Sequence, residues 1–106
     1  MKAVRIRAYG GPEAMEIVEL PTPEPGAGEV LVRHEAIGVN FIDIYQRTGL
    51  YAVSLPYVLG LEGAGTVEAA GPGVSGIEPG DRVAYAGIAG AYAEYVRLPA
   101  ERAVKL

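Results

Sequence analysis

At 106 residues the chain is one domain, large enough to bury roughly 65% of its unfolded surface, and half its residues are hydrophobic, which excludes a disordered segment. A net charge of −4 argues against nucleic acid as a partner, and the lack of cysteine excludes a disulfide framework and any thiolate metal site. No charged-then-apolar leader opens the chain and no apolar run approaches the ~20 residues of a membrane span, so a soluble, cytoplasmic protein with no membrane partner is expected.

Fifteen glycines and eight prolines favour many short strands joined by turns over a helical bundle. Residues 1–9 alternate Val4, Ile6 and Ala8 against Ala3, Arg5 and Arg7, which predicts a strand with one apolar and one wet face. Gly10-Gly11-Pro12 turns the chain into a second short strand over 15–20. Pro21, Pro23 and Pro25 then impose an extended connector that cannot pair regularly. Residues 29–37 predict a strand with Val30, Val32 and Ala36 on one face and Arg33 and Glu35 on the other. His34 falls on the apolar side, where a satisfied core or boundary histidine is expected.

At Asn40 the period changes. Phe41, Ile44, Tyr45 and Thr48 recur at helical spacing, Asn40 is a favoured N-cap, and Asp43 stands at the third helical position, where an acid suits the helix dipole. A short helix over 41–47 is predicted, ended by Gly49 in a left-handed cap. Residues 50–59, with Pro56, read as a loop. A strand over 63–70 follows, turned by Gly71-Pro72-Gly73. Glu78-Pro79-Gly80-Asp81 places Pro and Gly where a type II turn needs them, before a strand over 82–86. Residues 91–98 alternate as another strand, with Tyr92 and Tyr95 on opposite faces, so that at most one faces any cleft. A last strand over 103–106 runs out with no turn or polar tail, and a cut from a longer chain is expected there.

Gly71, Gly73 and Gly76 satisfy the G-x-G-x-x-G pattern of dinucleotide sites. That pattern works by starting a helix whose N–H groups face a pyrophosphate. Pro72 lies inside it and Pro79-Gly80 interrupts any helix at once, so the segment is read as a turn with no phosphate cradle.

The stretch from Gly38 to Gly65 carries the candidate chemistry: Asn40, Asp43, Tyr45, Tyr51 and Glu62 within a few turns of backbone bounded by glycines. Rigid strands commonly present function on such an irregular connection. Each residue also has a plainer explanation. Asn40 serves as a cap, Asp43 as a dipole-complementing acid, Tyr45 with Phe41 as core, and Glu62 as a structural acid bonded to strand backbone or to Arg47. Tyr51, next to a helix-ending glycine, is the hardest to explain as core.

Gly60-Leu61-Glu62, Gly65, Gly71 and Val74, then Gly80-Asp81-Arg82-Val83 and Ala93-Glu94-Tyr95-Val96, resemble the order and spacing of the medium-chain dehydrogenase/reductase superfamily. Within it, residues 36–51 (A-I-G-V-N-F-I-D-I-Y-Q-R-T-G-L-Y) are similar to the zinc-independent quinone oxidoreductase, or zeta-crystallin, branch. The resemblance implies a mainly β chain with short helices, 1–106 being the N-terminal part of a GroES-like catalytic domain, a small twisted β-barrel, with a Rossmann cofactor domain after residue 106. Zinc alcohol dehydrogenases carry a cysteine ligand where this chain has Asn40 and a histidine where it has Leu61, and a lone His34 cannot replace the roughly four ligands zinc needs. The implied activity is therefore metal-free hydride transfer from NADPH to a quinone or other conjugated carbonyl, in a homodimer. Tyr51 would donate to the acceptor oxygen, Tyr45 and Asn40 would form the nicotinamide and acceptor wall, and Asp43 would hold that helix end with Glu62 behind it. An enone or enoyl reductase of the same superfamily remains open. So does a GroES-like oligomerising module without catalysis, in which the Tyr45 and Tyr51 rings would serve an interface.

Overall fold

A computed structural model describes all of residues 1–106. Eight strands and one α-helix run in the order β1 (Lys2–Ile6), β2 (Met15–Glu19), β3 (Glu29–Ile37), α1 (Phe41–Thr48), β4 (Tyr57–Val58), β5 (Glu62–Ala70), β6 (Arg82–Ala86), β7 (Tyr95–Pro99) and β8 (Val104–Lys105), with 3₁₀ turns at Pro12–Ala14 and Ala100–Arg102. The chain is mainly β, as expected. Its hydrogen bonding draws two sheets rather than one closed barrel: a three-stranded sheet in the order β2-β1-β4 and a five-stranded sheet in the order β7-β3-β5-β6-β8. One bridge, Ala3 to Ala93, stitches them together.

The five-stranded sheet holds the core. In its register Val30 faces Leu98, and Val32 faces Val96 on one side and Val67 on the other. Period-two alternation thus stacks the β-branched residues of three strands on one face. Val30, Val32, Val67, Val83, Tyr85, Ala91, Val96 and Leu98 form one buried cluster there. The β3–β5 pairing is irregular at two places, between Leu31 and Val32, where Glu68 is the extra residue on β5, and between His34 and Ala36. The β3–β5 register steps from His34↔Gly65 to Ala36↔Ala64, which leaves Glu35 as an extra, bulged residue. Ala36, expected on the apolar face, is exposed as a result. Glu35 uses its outward aim to accept from Thr66 Oγ1 (2.6 Å) and Arg82 (3.3 Å).

Other departures are local. Ala3, expected on the wet side of β1, is buried because Ala93 pairs with it. β4 is a two-residue strand inside the expected loop, and it pairs with β1 through Arg5↔Val58 and Ile6↔Tyr57. β7 begins only at Tyr95; residues 91–94 instead cross between the sheets, with Tyr92 N–H bonded to Leu59 O (2.8 Å) and Glu94 N–H to Lys2 O (3.1 Å). The type II turn is formed as expected, with Gly80 at φ 94° and Asp81 N–H bonded to Glu78 O (3.1 Å). Residues 71–80 contain no helix, so the G-x-G-x-x-G stretch is a turn.

Candidate functional site

α1 starts and stops where its sequence predicts. Asn40 is extended and precedes the first turn. Its N–H donates to the Asp43 side chain at Oδ2 (3.0 Å), the N3-acid half of a capping box, while Asp43 N–H donates to the Asn40 backbone carbonyl (3.1 Å) and closes the first turn. Gly49, at φ 87°, ends the helix in the left-handed region, where a side chain would be strained and would strike the Tyr9 ring. The helix sits on the sheets lightly. Phe41, the first residue of its apolar stripe, is 77% exposed, and Asp43 is the one buried residue of the eight, at 3%.

A carboxylate can be buried only if it is bonded. Asp43 Oδ2 also accepts from Tyr92 Oη at 2.7 Å, while Oδ1 is enclosed with no partner. Burial, and then the bond and charge of Asp43, push the Tyr92 phenol up, so it stays a protonated donor across the physiological range. Tyr92 is itself fixed from below: its carbonyl accepts from Val4 N–H (2.8 Å), and its ring lies against Gly60 where a Cβ would collide. Tyr92, rather than Glu62, is what stands behind Asp43. Arg47 does not pair with Glu62 either; its Nε donates to Gly10 O (3.2 Å).

Tyr45 and Tyr51 come together. Their ring centroids are 5.7 Å apart at an interplanar angle of 85°, an edge-to-face pair. Tyr51 N–H reaches back to Tyr45 O (3.2 Å), wrapping the loop onto the last turn of α1. Tyr45 is 38% and Tyr51 52% exposed, and Leu50 between them also faces out, so the helical spacing that suggested a core face in fact builds an open aromatic surface.

Two hollows flank β3. One, of about 540 Å³, is lined by Ala3, Ile17, His34, Ile37, Val39 and Tyr92 among others. The other, of about 410 Å³, holds Glu62, Gly63, Ile37 and Tyr85. The Glu62 side chain is laid over Gly38 and makes no ion pair. His34 lines the first hollow and bonds to Tyr85, which lines the second. Its Nδ1 lies 2.7 Å from Ala93 O and must carry the proton, and its Nε2 accepts from Tyr85 Oη at 2.6 Å. Burial lowers the His34 pKa, with the Ala93 bond opposing, and burial also pushes the Tyr85 phenol up. His34 is thus the satisfied boundary histidine expected from its place on the strand.

Sequence reasoning missed Tyr92 as the partner of Asp43 and Tyr85 as the partner of His34. The only available signal was an acid at a position the helix buries, together with a small residue, Gly60, that leaves room for a ring. No helix in the structure is long and apolar enough to cross a membrane.

Comparison with known proteins extends these observations. Quinone oxidoreductase of Pseudomonas aeruginosa is 53% identical over 107 residues, covering 99% of this chain and 33% of the relative. Quinone oxidoreductase 1 of Escherichia coli is 45% identical over 105 residues, covering 97% of this chain and 32% of the relative. The crystal structure of the Escherichia coli quinone oxidoreductase complexed with NADPH matches with a TM-score of 0.97 at 42% identity, over 100% of this chain and 33% of that one. The chain spans about a third of the length of the curated relatives it matches. The similarity to the quinone oxidoreductase branch inferred from residues 36–51 therefore holds along the chain. Residues 26–106 match the alcohol dehydrogenase GroES-like domain, and the chain belongs to that family.

Proposed function

We propose that this chain is the N-terminal part of the catalytic domain of an NADPH-dependent quinone oxidoreductase, with a Rossmann cofactor domain beyond residue 106. The observation that carries this is the exposed Tyr45–Tyr51 pair beside α1, in a chain 42% identical to a quinone oxidoreductase solved with NADPH. The residues fit a nicotinamide: Phe41 and Tyr45 offer an exposed aromatic wall, and Asn40 carries a carboxamide at the head of α1. Bound NADPH would supply the hydride. The protein's own part is to orient and to stabilise charge. Tyr51 donates its O–H to the acceptor oxygen as negative charge grows there, Tyr45 and Asn40 form the wall, and Asp43 keeps the head of α1 in place.

The donor set supports chemistry without zinc. No three His, Cys, Asp or Glu side chains gather anywhere in the chain, and Asn40 and Leu61 stand where zinc alcohol dehydrogenases place ligands. The soluble, cytoplasmic homodimer belongs to the same reading.

The test uses the full-length protein with NADPH, a quinone and a less activated enone, with and without a chelator. Quinone reduction unaffected by the chelator is expected. Tyr51→Phe removes one donor and keeps the ring, and losing a hydrogen bond to a charged oxygen lowers kcat/KM roughly 10- to 150-fold at unchanged NADPH affinity, more for the enone than for the quinone. Tyr45→Phe should matter less. One tightly held zinc per chain would overturn the metal-free assignment, and parent rates in both tyrosine variants would make the two phenols packing residues.

A further inference from the structure

The loop that carries Tyr51 is held by a residue far away in sequence. Tyr9 leaves the end of β1 and places its phenol oxygen 3.0 Å from both Val53 O and Val53 N, so one hydroxyl donates to the carbonyl and accepts from the amide of the same residue. The Tyr9 ring lies against Gly49, where an added Cβ would stand 2.8 Å from Tyr9 Cγ. Tyr9 thus touches the chain two residues before Tyr51 and grips it two residues after. Its neighbour Gly10 ties the same turn to α1 by a reciprocal pair, Gly10 N–H to Arg47 O (3.0 Å) and Arg47 Nε to Gly10 O (3.2 Å).

Nothing else offers comparable restraint. Tyr51 is 52% exposed, makes no side-chain hydrogen bond, and is tied by an edge-on contact with Tyr45 and one backbone bond. An exposed loop residue without packing samples many rotamers and backbone states unless its flanks are fixed. We propose that Tyr9 is a positioning residue for Tyr51: by clamping Gly49 and Val53 it holds the 49–53 loop so that the Tyr51 hydroxyl is presented to the substrate oxygen. This rests on the proposed role of Tyr51.

Tyr9→Phe keeps the ring over Gly49 and removes both bonds to Val53. In the full-length protein it should speed amide exchange at Val53 by about tenfold or more and lower kcat/KM for the enone by about tenfold, with the KM for NADPH unchanged. A residue acting through Tyr51 has nothing left to act on once that hydroxyl is gone, so Tyr9→Phe should bring no further loss in a Tyr51→Phe background. Unchanged exchange at Val53 would overturn the clamp. Faster exchange with a parental kcat/KM, or the same loss in both backgrounds, would overturn the positioning role. If Tyr51→Phe alone leaves the rate intact, the assignment of Tyr51 fails and the positioning role falls with it, while Val53 exchange still reports whether Tyr9 holds the loop.

Discussion

The five-stranded sheet and the α1 side of the molecule are held by different forces. On the sheet, Val30, Val32, Val67, Val83, Val96 and Leu98 are buried against one another across neighbouring strands, and apolar burial scales with area whatever the detail of each contact. On the α1 side a single helical residue is buried, and it is an acid. That side depends on a few directional contacts: Asp43 with Tyr92, Arg47 with Gly10, Tyr57 Oη with Gln46 Oε1 at 3.3 Å, and Tyr9 with Val53. Directional contacts fix orientation well and add little stability. Under the proposed function this surface stays open for a cofactor and substrate, its apolar residues are then not spent on folding, and hydrogen bonds from a rigid base orient it.

The largest effect expected from this contrast is in the sheet. Leu98→Ala, at a fully buried position, should cost about 2–5 kcal/mol by denaturant unfolding. Tyr92→Phe should cost less, about 1–3 kcal/mol, since it removes one donor from a buried carboxylate that already has an unpartnered oxygen. Under the proposed function, its effect on quinone reduction by the full-length protein should nevertheless be the greater of the two at a temperature where both variants are folded, because Asp43 bonds the head of α1 while Leu98 lies in the sheet core. Equal stability losses, or a Tyr92→Phe enzyme with the parental rate, would break the contrast.

The same contrast decides what could be read in the sequence. Val30 and Val32 on β3 and Val67 on β5 announced their strands, because burial on one face imposes a period of two that needs no knowledge of the partner strand. The ends of α1 were equally legible, since Asn40, Asp43 and Gly49 act on backbone within a few residues of themselves. Ala36 was misplaced because a bulge at Glu35 is a property of the pairing and leaves no mark in β3 alone. β4 escaped because two residues are too few to show any period. Tyr45 and Tyr51 are close in sequence and their rings do meet, whereas Asp43 with Tyr92 and Tyr9 with Val53 are separated by 49 and 44 residues. Such contacts follow from how the two sheets meet, which no local pattern encodes.

The smallest effect expected lies where the two regions join, at His34. Its imidazole is neutral in the fold, donating from Nδ1 to Ala93 O and accepting at Nε2 from Tyr85, and burial sets its pKa below the ordinary 6.5. The unfolded chain therefore binds this proton more readily than the folded one, and protonation favours unfolding. The stability associated with the neutral ring is complete above about 6.5 and is lost as pH falls through that value toward the lower pKa of the folded state. The loss should be modest, because the ring is partly exposed and the Ala93 bond offsets some of the burial. Glu16, Glu35 and Asp81 have carboxyl pKa values lowered in the fold as well, but they titrate below their ordinary values of 4.5, 4.5 and 3.8, leaving the interval just under 6.5 to His34. Unfolding midpoints of the parent and of His34→Gln, followed from pH 8 down to about 5, should converge as the parent's advantage disappears. Parallel curves over that interval would mean that His34 is protonated equally in both states, and that the join between β3 and the 91–94 crossing does not depend on a neutral ring.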